Sequence, residues 1–168
     1  AEIDSLFEEW DLFSFAEAGW TQKFEGAGQG RYRVSLWRID AREREGAPSG
    51  AEDRGISLIV DQDLGEKWKV FARSAWSEAD STGVEHLIEG GGTYTGILGA
   101  RSVTGAALAH VSFAREGRRD ESVFEVFQRW QLTEFTQFTL GAQVIFDPAD
   151  APGDDALGVF SARLRVTF

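Results

Sequence analysis

The sequence contains no cysteine, so disulfide bonds, thiolate nucleophiles and cysteine-ligated metals are excluded. It has no apolar run of about 18 residues and therefore predicts no transmembrane helix. A membrane-spanning barrel is not excluded, because each of its strands needs only about 9 to 11 residues and only every second residue must be apolar. The lack of methionine and of a recognisable signal peptide predicts a processed chain or a fragment.

Basic residues are also scarce, and the formal net charge is -11. This balance argues against a nucleic-acid partner, because binding to phosphates needs clustered Lys and Arg. The two histidines, His86 and His110, have no catalytic partner motif, and Ser112 near His110 is accounted for by strand alternation. We therefore expect no enzymatic activity, no catalytic residue and no cofactor.

The acidic segment 147–157 is the one candidate for a metal site. Its Asp147, Asp150, Asp154 and Asp155 could offer oxygen ligands to Ca²⁺. The twelve-residue pattern of a calcium-binding hand is missing, and acidic loops are more often simply solvated. We therefore predict no metal ligands.

Hydrophobic periodicity predicts an all-β chain. Apolar and polar residues alternate with a period of two, and no helical pattern is found apart from a helical turn or a loop in residues 1–11. In the sixth strand we expect Ala107, Ala109, Val111 and Phe113 on the apolar side and His110 and Ser112 opposite them. The nine predicted strands cover about residues 13–24, 31–42, 54–62, 67–77, 85–98, 106–114, 121–132, 135–146 and 158–168.

The last of these strands has one purely apolar and one purely polar side. Phe160, Ala162, Leu164, Val166 and Phe168 alternate with Ser161, Arg163, Arg165 and Thr167. A strand of this kind that ends on an aromatic residue resembles the closing strand of a bacterial outer-membrane barrel.

Aromatic residues recur eight positions apart on the apolar sides of three strands. Eight residues of strand cover about 26 Å, which a tilt near 40° reduces to roughly 20 Å of height. That height is close to the apolar band between the two aromatic girdles of a membrane barrel. The predicted girdle residues are Trp68, Trp76, Phe138, Phe146, Phe160 and Phe168.

Charged residues occupy the opposite sides of the strands, where a porin has its water-filled lumen. There they could hydrogen-bond passing solutes, or they could form ion-pair ladders that brace the wall. Trp37 lies on the same side and could stack against a sugar or pack against an inward loop. The candidate lumen residues are Glu17, Arg31, Arg33, Arg73, Glu125, Arg129, Arg163 and Arg165.

Connection lengths alternate between short turns and longer charged loops, as in porins. With nine strands and the last one ending at the periplasmic rim, the first would start at the extracellular side. A closed single-chain bacterial barrel has an even number of strands, so we expect an odd number of strands before Ala1. If the first strand were false, eight strands could instead close a small barrel without a pore.

Three segments resemble the carbohydrate-selective porin family. They are residues 15–37, 55–76 and 124–168, and together with the order of elements they extend the resemblance over most of the chain. The shared features are Glu17 with Gly19, the Gly-x-Tyr-Arg strand that starts at Gly30, Asp61 with Gln62, Glu125, Gln143, Asp147 with Pro148, and the arginine-rich last strand. The chain departs from the family pattern at Phe127 and Gln128, where a Tyr-Tyr pair is usual, and this affects the expected sugar preference more than the fold.

The resemblance implies an antiparallel transmembrane β-barrel in the bacterial outer membrane. It implies that residues 1–168 form one domain, the carboxy-terminal part of a sixteen-stranded porin that is incomplete at its amino terminus. The implied function is passive, sugar-preferring diffusion, with small sugars as permeants, contacts to outer-membrane lipid and lipopolysaccharide, and a homotrimer as one possible assembly. The alternatives are a small pore-less structural or adhesive barrel and a soluble ligand-binding barrel.

Overall fold

The computed structural model describes residues 12–41, 51–78, 83–114 and 118–168. In these residues it contains nine β-strands and no helix, so none of them forms a helix that could cross a membrane. The predicted segment 1–11 and most of the loop after the second strand lie outside the described residues. The strands are β1 Phe13–Phe24, β2 Gly28–Ile39, β3 Asp53–Leu64, β4 Trp68–Ser77, β5 Val84–Thr95, β6 Ser102–Phe113, β7 Glu121–Gln131, β8 Thr136–Phe146 and β9 Ala156–Val166.

The number of strands predicted from the sequence is confirmed. Differences are confined to the ends of the strands: β2 begins at Gly28 rather than at residue 31, and β6 begins at Ser102 rather than at residue 106. Both extensions contain glycine or small polar residues, which pair normally with their neighbours but give little hydrophobic alternation in the sequence.

All nine strands belong to one antiparallel sheet. Each strand pairs with the next one along the chain, in the order β1 to β9. β1 and β9 are the two edges and do not pair with each other, so the sheet is not closed within the described residues. The result is a continuous up-and-down wall.

The register divides the residues of this wall into two faces. Successive residues of a strand point to opposite faces, and residues directly opposite each other on neighbouring strands share a face. Nearly every opposed pair joins two odd or two even numbers, as in Glu17 with Ser35 and Trp68 with Tyr94. The exception is the bulge where Val84 pairs with Phe113. Odd-numbered residues therefore form one face and even-numbered residues the other.

The face of even-numbered residues, called the apolar face below, carries large hydrophobic side chains that are exposed. Leu108 is 56% exposed and Leu36 is 54% exposed, although both lie well inside their strands. Among the described residues no strand contains a buried hydrophobic side chain, and Ala149, at 9% exposure, lies in the connection after β8. The sheet thus has no hydrophobic core of its own. The exposed apolar-face residues of β2 to β8 include Leu36, Ile56, Leu58, Val60, Leu64, Trp68, Trp76, Ile88, Leu108, Phe124, Val126, Leu140 and Phe146.

The face of odd-numbered residues, called the polar face below, carries the charged side chains of the strand interiors. In β6 the assignment of faces differs from the prediction. Ala107 is directly opposite Glu125, and Ala109 is directly opposite Glu89, so these alanines and Val111 lie on the polar face. His110 and Ser112 lie on the apolar face. The prediction was wrong here because alanine is compatible with either face, and the pairing with β5 and β7 decides between them.

The connections separate the sheet into a turn end and a loop end. The turn end has residues 25–27, 65–67, 96–101 and 132–135, and the loop end lies where β2, β4, β6 and β8 end and where β3, β5, β7 and β9 begin. At the turn end Gly65 has a positive φ of 69°, a conformation that glycine adopts without steric cost. Its amide donates a 2.7 Å hydrogen bond to the carbonyl of Ala27, which ties two adjacent turns together.

Candidate functional site on the polar face

The register brings all the predicted lumen residues to the polar face. They are spread over five strands, so their common orientation depends on every strand pairing between them being in register. The side chains, in chain order, are Glu17 on β1, Arg31 and Arg33 on β2, Arg73 on β4, Glu125 and Arg129 on β7, and Arg163 and Arg165 on β9.

Two of these side chains are held near β2. Ser35 Oγ donates a 2.9 Å hydrogen bond to Glu17 Oε2, and Ser35 is only 4% exposed. Arg33 Nη2 lies 3.3 Å from Asp61 Oδ2, with both side chains about two-fifths exposed at 41% and 42%. Both contacts join neighbouring strands and fix the charged groups against the wall.

Two more are held in the middle of the sheet. Arg73 Nη1 lies 3.1 Å from Glu89 Oε2, directly across β4 and β5. Gln143 Nε2 donates a 2.6 Å hydrogen bond to Glu125 Oε2, directly across β7 and β8. The sequence left a bracing role as an alternative for these charged residues. Contacts between neighbouring strands now support that role at Glu17, Arg33, Arg73 and Glu125.

The other four arginines have no such partner. In the described part of the chain, the guanidinium groups of Arg31, Arg129, Arg163 and Arg165 make neither an ion pair nor a hydrogen bond. Arg31 is directly opposite Asp61, whose carboxylate contacts Arg33 instead. The remaining three lie near the turn end of β7 and β9, opposite uncharged residues of β8.

Two aromatic side chains pack against glycines on the polar face. Trp37 is directly opposite Gly55, and a Cβ atom at Gly55 would lie only 2.6 Å from its indole carbons. Phe127 is packed against Gly105 in the same way. Trp37 therefore lies on the face predicted from the sequence. The role of Phe127 was missed, because a glycine beneath an aromatic ring is visible only once the register is known.

The apolar face has aromatic pairs near both ends of the sheet. At the turn end the rings of Trp68 and Tyr94 are 4.8 Å apart, and those of Trp130 and Phe138 are stacked at 6.1 Å. At the loop end Trp76 stacks on His86 at 5.1 Å. Tyr94 and Trp130 were not among the predicted girdle residues. The alternation of residues along each strand predicts that Tyr94 and Trp130 lie on the apolar face. Their position between the turn end and the loop end depends on the pairing with neighbouring strands.

The structure does not bring every predicted girdle residue to an end of the sheet. Phe146, at the end of β8, is opposite Ser122 and Ala156 near the loop end. Phe160 is opposite Ala142, midway between Phe138 and Phe146 along β8. Its level is therefore in the middle of the apolar face. Phe168 follows the end of β9 at the turn end and is fully exposed, next to a 2.9 Å hydrogen bond from the Thr167 amide to the Phe135 carbonyl.

A small polar group interrupts the apolar face at the loop end of β6 and β7. His110 Nδ1 lies 2.9 Å from Ser122 Oγ, and Ser112 Oγ donates a 3.3 Å hydrogen bond to Asp120 Oδ2. His110 Nε2 is 4.0 Å from the same carboxylate oxygen, which is longer than a hydrogen bond. These contacts satisfy polar side chains across one hairpin.

Two aspartates of the acidic segment at the loop end form ion pairs with arginines. Arg119 Nη1 lies 3.2 Å from Asp147 Oδ1, and Arg118 Nη2 lies 2.8 Å from Asp150 Oδ1. Two of the carboxylates that a calcium ion would need therefore already have cationic partners. In the described ranges no group of three or more His, Cys, Asp or Glu side chains is placed to hold a metal ion.

Together, an up-and-down antiparallel sheet, an exposed apolar face and a charged polar face define a porin-type barrel wall. No family model matches the chain, and no curated protein matches it. Among solved structures it is similar to the high-pH structure of OprB from Pseudomonas putida, with a TM-score of 0.77 and 16% sequence identity. The match covers 93% of this chain and 48% of the OprB chain, so this chain spans about half the length of that protein. The porin fold expected from the resemblance is confirmed.

Proposed function

We propose that the chain is part of the wall of a bacterial outer-membrane porin, through which small hydrophilic solutes diffuse passively and among which sugars are preferred. One observation carries the proposal: the register sorts the residues into an exposed apolar face and a charged polar face along the whole sheet. A transmembrane barrel needs this arrangement, because alternate residues of its strands contact lipid and water.

The apolar face supports a position in lipid. Side chains such as Leu58, at 44% exposure, and Phe124, at 43%, lie in the middle of strands that have neighbours on both sides. Exposure of so many apolar groups to water is unfavourable, and contiguous apolar patches of this extent are rare on monomeric soluble proteins. A soluble ligand-binding barrel turns its apolar face inward, where the side chains bury one another. The acyl chains of lipids are a suitable environment for this apolar face.

The polar face supports the passage of hydrophilic solutes. Sugar hydroxyls can both donate and accept hydrogen bonds, and the wall offers acceptors such as Glu125 and donors such as Arg31. Passage requires sites that bind weakly enough to release the solute. The half-buried aromatic rings of the polar face, Trp37 and Phe127, add surfaces on which the apolar side of a sugar ring can lie.

The proposal is tested with the natural, full-length protein in planar lipid bilayers. We expect stepwise current increases with an ohmic current–voltage relation, since a water-filled lumen conducts ions without a gating step. Liposome swelling then measures sugar preference: glucose should enter faster than an uncharged, non-sugar solute of the same size. Protein that inserts into the bilayer but opens no channel would contradict the porin and would favour the pore-less barrel. Equal swelling rates for glucose and for the non-sugar solute would contradict the sugar preference but not the porin itself.

A further inference from the structure

A groove crosses the apolar face from β3 to β6. Its volume is about 560 Å³, which is within the range of about 300–1,000 Å³ that is typical of sites for small molecules. Each of these four strands has a neighbour on both sides, so the groove lies away from the two open edges of the sheet. Its lining includes Val60, Ala72, Ser74, Ile88, Gly90 and Leu108.

The shape of the groove follows from the pairing register. Val60, Ala72, Gly90 and Leu108 form one row across the four strands, each directly opposite the next. The two inner positions hold alanine and glycine and the two outer positions hold valine and leucine, so the middle of the row is lower than its ends. The backbones of β3 and β6 are three strand spacings apart, about 14 Å. Leu108 is 56% exposed, so the groove is open to its surroundings.

His110 lines the groove on the side of the loop end. It belongs to the next row in that direction, directly opposite Ile88 on β5 and Ser122 on β7. Its Nδ1 lies 2.9 Å from Ser122 Oγ, whereas its Nε2 is 4.0 Å from Asp120 Oδ2, too far for a hydrogen bond. The side chain is 47% exposed. Among the described residues, His110 Nε2 therefore has no hydrogen-bond partner.

A ring nitrogen on a face that contacts lipid indicates which chemical group would complete the site. An unpaired polar group is costly in hydrocarbon, where no water is available to it. Neutral imidazole has one donor and one acceptor nitrogen, and the tautomer decides which is which. A hydroxyl group both donates and accepts, so it can hydrogen-bond to His110 Nε2 in either tautomer, whereas an ester carbonyl only accepts. The nearby carboxylate of Asp120 repels an anionic group.

We propose that the groove binds an acyl chain of lipopolysaccharide, whose hydroxyl group hydrogen-bonds to His110 Nε2. The inference rests on the membrane position in the proposed function and adds a lipid site on the outside of the wall. In such a barrel the loop end is extracellular, where lipopolysaccharide forms the outer leaflet, and several of its acyl chains carry a hydroxyl group near the head group. The rest of the chain then extends toward the turn end, where Gly92 and Ala106 keep the next row low.

The experiment measures lipid binding to the natural, full-length protein in detergent micelles. Lipid A, the acylated part of lipopolysaccharide, is titrated in, and native mass spectrometry measures the fraction of protein that carries one lipid. Phosphatidylglycerol, whose chains have no hydroxyl group, is the comparison lipid. We expect one lipid A to bind more tightly than phosphatidylglycerol. In His110→Phe the ring stays but its nitrogens are lost, so lipid A should bind about fivefold more weakly, the effect of one hydrogen bond, with phosphatidylglycerol unchanged.

Gly90→Leu tests the groove itself. A Cβ at Gly90 would meet only the carbonyl oxygen of Phe71 at 3.7 Å, an ordinary contact, so the wall can accept a side chain there. The added leucine fills the groove, and lipid A should bind about fivefold more weakly, the effect of losing roughly ten van der Waals contacts. The matched control is Gly158→Leu, on the apolar face of β9, where a Cβ would meet no heavy atom within 4 Å. This control should bind lipid A as the wild type does.

The outcomes separate the lipid site from the porin proposal. Wild-type affinity for lipid A in Gly90→Leu overturns the groove, and wild-type affinity in His110→Phe overturns the hydrogen bond. Equal affinities of the natural protein for lipid A and phosphatidylglycerol overturn the assignment to lipopolysaccharide, and so do dimers that Gly90→Leu abolishes, since a second copy would then occupy the groove. Protein that binds lipid A as expected but opens no channel contradicts the porin alone. If Gly90→Leu does not assemble, as judged by heat-modifiable migration in gels, Ala72→Leu replaces it in the test.

Discussion

Charged residues of the same type have two different environments on the polar face. Arg33 and Arg73 contact carboxylates on the next strand, whereas Arg129 and Arg163 have none within the described residues. Exposed ion pairs of this kind contribute only about 0.2–1 kcal/mol to stability. Their main effect is to fix the position of a charge along the wall and to cancel it there.

The packing of Trp37 on Gly55, on the polar face, gives a prediction at the level of one residue. In Gly55→Ala the new Cβ would lie 2.6 Å from the Trp37 indole and 2.6 Å from the carbonyl oxygen of Trp76. The backbone oxygen cannot move away freely, so we expect a loss of about 1–3 kcal/mol in the free energy of unfolding, the usual cost of overpacking. Urea unfolding in lipid vesicles, followed by tryptophan fluorescence, measures it.

The matched control is Gly158→Ala. Gly158 also lies in a strand, yet a Cβ there would meet no heavy atom within 4 Å, and its φ is not positive. This variant should unfold within about 0.5 kcal/mol of the wild type, as surface substitutions generally do. Equal destabilisation by both substitutions would mean that Trp37 does not pack on Gly55.

At the level of the strand, the pairing register decides the face of each residue, and in the proposed porin the face decides which residues contact lipid. Ala72 lies halfway between Trp68 and Trp76 on the apolar face of β4, and Ala75 lies on the polar face of the same strand. We expect Ala72→Lys to lower the free energy of unfolding in lipid vesicles by about 2–4 kcal/mol, because a lysine near the middle of the membrane must leave water. Ala75→Lys should change it by less than about 0.5 kcal/mol.

This pair of variants is its own control, since the original residue, the new residue and the strand are the same. The comparison therefore isolates the direction of the side chain. If Ala75→Lys proves as costly as Ala72→Lys, the assignment of faces in β4 is wrong. If neither variant is destabilised, β4 does not contact lipid.

Strand β6 shows why register matters more than composition. One side carries Val103, Gly105, Ala107, Ala109, Val111 and Phe113, and the other carries Ser102, Thr104, Ala106, Leu108, His110 and Ser112. Hydrophobicity alone places Ala107 and Ala109 on the apolar face, whereas the pairing with Glu125 of β7 and Glu89 of β5 places them on the polar face. Small side chains on that face leave space between charged neighbours. The larger Leu108 then covers the apolar face.

At the level of the whole molecule, the two faces of the sheet predict two different environments for tryptophan. Trp68 is on the apolar face and 50% exposed, and Trp37 is on the polar face. In vesicles made with brominated lipid, a variant that retains only Trp68 should be strongly quenched, because bromine on the lipid reaches its ring directly. A variant that retains only Trp37 should be quenched by aqueous iodide and hardly at all by the brominated lipid.

Variants that retain only Trp20 or Trp76 provide further checks, because both rings belong to the apolar face. Each should resemble the Trp68 variant in its response to brominated lipid. Strong quenching of Trp37 by brominated lipid would be incompatible with a membrane wall that has water on its polar side. A lack of quenching of Trp20, Trp68 and Trp76 by brominated lipid would contradict it as well.

The sequence by itself determined the number of strands, their approximate limits and the two-residue alternation, because these depend only on local spacing along the chain. It also predicted correctly that Arg163 and Arg165 lie on one face of β9 and Phe160 and Leu164 on the other, because that strand has one purely polar side. Only the tertiary structure decided the face of β6, the mid-strand level of Phe160 and the packing of Trp37 on Gly55. Each of these depends on which residue of the next strand lies opposite.

The same reason explains why some arginines of the polar face contact a carboxylate and others contact none among the described residues. Arg33 and Arg129 look alike in sequence, as both are predicted on the lumen side of a strand. Pairing between strands brings Asp61 within reach of Arg33, and it places uncharged Val103 and Thr139 opposite Arg129. Local alternation fixes the face of a charged side chain, whereas the register, a non-local property, fixes whether its charge is neutralised.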